Sequence, residues 1–204
     1  MARPAHWVFL MQRFLALFSE RIARVERALI AVIAIALPLM ILLNTAGRAV
    51  RSPIYWMDEL AILLMVWMAL FGISLTIRTR DAVAVTMLLE LAPLPVLKAM
   101  KVLIDVFILA FTVALLVMCW FWFDPVTLIR VNFDFHAFSG EGFNYIYEDT
   151  TDTLDVRKFW FWLMIPFSAL TSTVHGLSNL ITTVQTPASE LKAAMSVPVV
   201  SSME

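Results

Sequence analysis

Residues Ala28 to Gly47 read ALIAVIAIALPLMILLNTAG, twenty positions without a charged side chain. At a rise of about 1.5 Å per residue, such a run crosses roughly 30 Å, the hydrocarbon thickness of a bilayer. In hydrocarbon the backbone can satisfy its own N–H and C=O groups only within a helix or a closed barrel. The stretch is therefore predicted to be a transmembrane helix, with Pro38 a tolerated defect in its middle.

Three further apolar blocks follow. Leu60 to Ile77 is short for a span unless it begins near Ile54, which Ser52 as N-cap and Pro53 at the first helical position would permit. Val102 to Phe123 carries one charge, Asp105, near its start, and Phe159 to Val184 runs from aromatics into Ser and Thr. The fold class expected is an all-α integral membrane protein. It has one membrane domain, 28–184, whose four transmembrane helices lie at about 28–47, 54–77, 102–123 and 159–184.

Composition agrees with this reading. Of 204 residues 61% are hydrophobic and 15% charged, against about 25% charged in a typical soluble domain. A net charge of -1 gives no electrostatic footprint for nucleic acid. The single cysteine, Cys119, excludes an intrachain disulfide and a multi-cysteine metal site.

Four spans put both termini on one face, and the basic residues say which. Arg3, Arg13, Arg21, Arg24, Arg27, Arg78, Arg80, Lys98, Lys101 and Lys192 fall on the face with the termini; Arg48, Arg51, Arg130, Arg157 and Lys158 fall on the other. Lys and Arg accumulate on the cytoplasmic side, so both termini are expected there. Trp and Tyr favour the interfaces, and Tyr55-Trp56, Cys119 to Phe123 and Phe159 to Trp162 are all expected at the outer one.

Residues 1–27 carry Trp7, Leu10, Phe14, Leu17 and Phe18 apart from Arg13, Arg21 and Arg24. They read as an amphipathic helix lying on cytoplasmic-leaflet lipid before turning into the first span. Short interfacial helices are expected in the inner loop, Asp81 to Lys101, around Pro93 and Pro95. Residues 185–204 form a cytoplasmic tail. The outer loop, 124–158, holds seven acidic and three basic residues and is too long for a simple connection.

His175 lies within the fourth span, and an intramembrane ionisable residue is by default a functional hypothesis. The competing reading is packing: Ser168, Ser172 and Gly176 recur every fourth position, a ridge that lets another helix approach. Asp105 lies four residues after Lys101, so a pair on one helical face is expected. No phosphate-binding glycine loop, HExxH motif or facing pair of intramembrane histidines occurs, so catalytic, cofactor and metal sites have no sequence support.

Asp58 and Glu59 open the second span, where acids interact favourably with the positive end of a helix. Arg48 and Arg51 are expected at the same interface, which makes a charge joint between spans one and two available. An ion path would need polar groups continuing inward, yet the run beyond Glu59 is apolar to Ser74.

The segment Asn44 to Val85, NTAGRAVRSPIYWMDELAILLMVWMALFGISLTIRTRDAVAV, resembles the hallmark region of the small membrane subunit of tripartite ATP-independent periplasmic (TRAP) transporters, the DctQ-like proteins. Arg48, Trp56, Asp58, Glu59, Trp67, Gly72 and Arg78 match its pattern. Asp81 stands where many members have a His. The resemblance implies a bacterial inner-membrane scaffold in a sodium-coupled transporter for organic acids. Its partners would be a large elevator-type membrane subunit and a periplasmic binding protein.

On that reading Arg48, Asp58 and Glu59 fix the outer joint, Trp67 and Gly72 shape a helix contact, and Arg78 anchors the inner end. The alternatives are a membrane assembly protein unrelated to transport, or a small stand-alone carrier. A carrier should show repeats or broken helices with polar groups at the midplane, to which only Pro38 and His175 correspond.

Overall fold

The computed structural model describes residues 6–80 and 92–195, with side-chain surroundings for 13–80 and 92–193. The described residues fold into α1 (His6–Ala49), α2 (Tyr55–Thr79), α3 (Leu94–Phe123), α4 (Pro125–Arg130), α5 (Phe135–Gly142), α6 (Phe159–Trp162), α7 (Met164–Gln185) and α8 (Ala188–Met195). Among the described residues three stretches are long and apolar enough to cross a membrane: Arg13–Ala49, Tyr55–Thr79 and Leu94–Arg130.

The turn expected between residues 27 and 28 is absent, for α1 runs unbroken from His6 to Ala49. The reason is a seam. Ser19, Ala23, Glu26, Ile33, Leu37 and Asn44 are buried, and Ile30 packs beside them. Spacings of three and four residues keep one helix face on its neighbours, so the seam carries the helix across the boundary. Phe14, Leu17 and Phe18, the apolar residues of the expected amphipathic face, are exposed on the other side.

Helix α2 begins at Tyr55, and Ser52 does not cap it. The Ser52 N–H turns back to the Gly47 carbonyl at 2.8 Å, closing the hairpin instead. The position before the helix is Ile54, whose side chain cannot cap. Its N–H is taken by the Asn44 side-chain oxygen at 3.1 Å, so α1 supplies the acceptor.

Helix α3 starts eight residues earlier than the block Val102 to Phe123 suggested. Pro93 is its N-cap and Pro95 lies in its first turn, where a missing N–H costs nothing. The prolines thus open a helix rather than interrupt one, and the expected interfacial helices over 94–101 are its first turns. Residues 81–91, which include Asp81, lie outside the described residues.

The fourth block divides into α6 and α7 at Leu163. Helix α7, within the expected fourth span, is not among the three stretches apolar enough to cross a membrane, yet it is the most enclosed of the long helices: Met164, Ser168, Ala169, Thr171, Ser172, His175, Gly176, Ser178, Asn179 and Thr183 are all buried. It packs against α1, α2 and α3. Hydroxyls and amides on such a helix need protein partners, so its polarity is a sign of its central place. Helix α8 docks back on the start of α3, with Leu191 buried and the Lys192 ammonium on the Ala92 carbonyl at 3.3 Å.

Residues 124–158 fold into a cap over the end of the bundle where α1 turns into α2, the end expected to face outward and named the outer end on that expectation. Phe123, Leu128, Phe138, Ile146 and Tyr147 form its core, and the Tyr147 hydroxyl donates to the Phe123 carbonyl at 2.6 Å. The aromatic clusters do not share one level. Trp122 meets Trp162 with ring centroids 6.1 Å apart, and Trp67 meets Phe161, also at 6.1 Å. Tyr55-Trp56 stands farther out, roughly 16 Å from Trp67 along the α2 axis.

Candidate functional site

The described residues of the Asn44 to Val85 segment act at both ends of the bundle and midway between them. At the outer end, α1 and α2 meet through one polar knot. Asn44 donates its amide to Asp58 at 2.5 Å and accepts the Ile54 N–H, while Arg48 reaches the other oxygen of Asp58. The turn between them is tight. A Cβ built on Gly47 would stand 2.7 Å from the Ser52 carbonyl oxygen, so only glycine fits there.

Asp58 and Glu59 therefore do different things. Asp58 joins α1 to α2 through Arg48 rather than Arg51. Glu59 points to the cap, where its carboxylate accepts the N–H groups of Asp152 and Thr153 at 2.8 Å and of Leu154 at 3.3 Å. The Thr153 hydroxyl adds a fourth bond at 2.6 Å. Three successive amides converging on one carboxylate make an anion nest, filled here by the chain's own acid. Trp56 lies beside this region with its ring partly exposed.

Midway down α2, the Trp67 indole donates to the Phe161 carbonyl at 2.9 Å, tying α2 to the start of the fourth block. Among the described residues nothing stands against Gly72: a Cβ there would meet nothing within 4 Å. Of the expected Trp67–Gly72 helix contact, the described residues contain the part that Trp67 makes. The inner end is held by Glu20 of α1, which accepts Arg27 at 2.8 Å and Arg78 at 3.2 Å.

Helix α7 carries a second set of polar links. His175 is fully buried between Ser19, 2.7 Å from its Nδ1, and Glu26, 3.3 Å from its Nε2. Serine, histidine and a carboxylate in line evoke nucleophilic catalysis. All three are buried, at 0%, 0% and 1% exposure, and they lie between α1 and α7. The geometry is that of a helix clamp. Ser168 and Ser172 are buried on the same helix, and Gly176 lies against α3, with Leu109 Cα 3.7 Å from a Cβ built on it.

One turn before His175, toward the cap, Ser74 and Thr171 link α2 to α7 at 2.9 Å. Asp105 does not pair with Lys101. It takes Arg80 at 3.0 Å and the Thr183 hydroxyl, and the same guanidinium donates to the Asn179 carbonyl at 2.7 Å. Buried carboxylates need charge partners and full hydrogen bonding, and Arg80, at the left-handed end of α2 with φ 61°, turns inward to supply both. Among the described residues no group of three or more His, Cys, Asp or Glu is placed to hold a metal.

Sequence reasoning missed Asn44, Gly47, Ser19, Glu20 and Glu26. The signal was available for three of them, since Ser19, Glu26 and Asn44 share the three-four seam with Ala23, Ile33 and Leu37. A polar residue in such a seam needs a partner on the next helix.

Residues 37–186 match the family of tripartite ATP-independent periplasmic transporters, DctQ component. No curated protein and no solved structure matches the chain. The match covers well over half of the sequence, and the chain belongs to the DctQ family.

Proposed function

We propose that this member of the DctQ family is the static small subunit of a sodium-coupled TRAP transporter for organic acids, bracing a large elevator-type membrane subunit. One observation carries the reading: its polar side chains are spent on tying helix to helix. Arg48–Asp58 and Asn44 join α1 to α2, Ser74–Thr171 joins α2 to α7, and His175 joins α7 to α1. Arg80–Asp105–Thr183 joins α2, α3 and α7. Groups held this way are not free to coordinate a moving ion or solute, and a cross-linked bundle suits a part that stays still while another moves.

On this reading α7 is the fourth span, both termini are cytoplasmic, and the chain resides in a bacterial inner membrane. The large subunit covers part of the apolar surface of α1 and α2, including the open flank of Gly72. The cap meets the periplasmic binding protein. Two observations support the last point: the cap is acidic, and it holds Phe133 and Phe143 at φ 62° and 50°, with both rings exposed. A bulky residue in the left-handed region is strained, and neither ring repays that strain with burial inside this chain.

Purification and reconstitution test the proposal. The chain should purify with a large polytopic subunit, and uptake should require sodium and an added binding protein. Substitution of Asp58 by Ala should weaken the association more than it alters sodium dependence. Uptake by the reconstituted chain alone would overturn the scaffold reading in favour of a stand-alone carrier. Deleting the exposed Phe143 turn without effect at limiting binding protein would remove the cap contact.

A further inference from the structure

An open groove of about 650 Å³ runs along the first half of α3, lined by Leu94, Pro95, Lys98, Val102, Leu103 and Val106, with Ala188 of α8 also on its wall. Its two ends differ. From Val102 to Val106 the wall is aliphatic, and Leu103 and Val106 stand 55% and 45% exposed. At the other end sits Lys98, half-buried, its ammonium resting on the Val184 carbonyl at 3.1 Å.

That bond uses one of three donors and leaves the charge uncompensated by any carboxylate among the described residues, where the nearby ion pair is Arg80–Asp105. Lys192 is placed likewise, on the Ala92 carbonyl. The cationic end is thus fixed in position and backed by α8.

We propose that this groove binds an anionic glycerophospholipid. The phosphate sits at Lys98 and one acyl chain lies along Val102, Leu103 and Val106. From Lys98 to Val106 the helix rises about 12 Å, most of the roughly 15 Å hydrocarbon depth of one leaflet. An ammonium at one end and an apolar wall of leaflet length fit an amphiphile with a negative head. They do not fit a soluble anion, which has no use for the wall, or a neutral chain, which has no use for the lysine. The seated lipid would also bridge α3 and α8.

Native mass spectrometry tests this on the chain in the assembly in which it purifies, supplied with phosphatidylglycerol or phosphatidylcholine of identical acyl chains. Phosphatidylglycerol should be retained over phosphatidylcholine by about fivefold, the effect of one basic residue near an anionic head group. Lys98→Gln should bring the two lipids to parity, and Val106→Trp, which fills the groove and keeps the charge, should lower retention of both. Equal retention of the two lipids by the unaltered protein would overturn the proposal, as would an unchanged preference in Lys98→Gln. Displacement of the lipid by inorganic phosphate alone would reassign the site to a soluble anion. The readout is lipid retention, so its outcome is separate from that of the transport experiments.

Discussion

Glu59 and Thr153 meet twice: the carboxylate accepts the Thr153 N–H at 2.8 Å and its hydroxyl at 2.6 Å. With the amides of Asp152 and Leu154, these bonds staple the outer cap to the top of α2. The staple depends on charge, because backbone amides bind an ionised acceptor about twice as strongly as a neutral one.

Glu59→Gln should therefore free the cap while leaving the Arg48–Asp58 joint in place. Limited proteolysis between Thr150 and Val156 should speed up several-fold in Glu59→Gln and less in Thr153→Val. Equal cleavage in all three proteins would show that the cap is held by its aromatic core alone.

His175→Ala should be the most damaging single change within the bundle. It leaves Ser19 and Glu26 buried without their partner, and Glu26 already has one oxygen buried and unbonded. Leaving two buried polar groups without their shared hydrogen-bond partner costs about 3 kcal/mol, whereas Ser19→Ala, which removes one hydrogen bond, should cost about 1 kcal/mol. Unfolding in mixed micelles should rank the two in that order, and a larger loss in Ser19→Ala would contradict the clamp.

Two glycines make a paired test. Gly47→Ala pushes a methyl group to 2.7 Å from a backbone oxygen, which cannot move aside, and should cost about 2 kcal/mol. Gly176→Ala meets α3 at 3.7 Å, an ordinary contact, and should be nearly silent. Gly176→Leu should not be. Thermal stability of the three variants checks the order, and a silent Gly47→Ala would mean that the hairpin rearranges.

The cap should also weaken in acid. The Ser139 hydroxyl, then His136, hold the Glu148 carboxyl below its ordinary range. A carboxylate whose pKa is lowered by folding stabilises the fold above its unfolded pKa and loses that contribution as pH falls through the folded value. Proteolysis of the cap should quicken on acidification through the range below the normal glutamate pKa, and Glu148→Gln should flatten part of that dependence. An identical pH profile in Glu148→Gln would assign the effect elsewhere.

Much of the architecture was legible beforehand, because hydrocarbon leaves a backbone little choice: a charge-free run of twenty residues must be a helix if it lies in the membrane. The existence of the long helices, the connection too long to be idle and the Arg48 to Arg78 pattern all follow from one-dimensional spacing. Boundaries were less legible. Ser52 and Pro53 resemble a helix start, but the Gly47 carbonyl captured the Ser52 N–H, and Pro93 and Pro95 resemble breaks until the helix is seen to begin there.

The sequence by itself determined that this is a helical membrane chain of the DctQ family, since apolar length and motif spacing are properties of the chain read in order. Only the tertiary structure decided what the polar residues do. Asp58 and Glu59 are neighbours in sequence, yet on a helix adjacent side chains diverge by about 100°, sending one to Arg48 and the other to the cap. Asp105 lies one turn from Lys101 but bonds Arg80 and Thr183. His175 finds Ser19 and Glu26 across the bundle from it in sequence. A buried polar group takes the partner that packing brings within 3 Å or so, and that choice is made in space, after the helices have met.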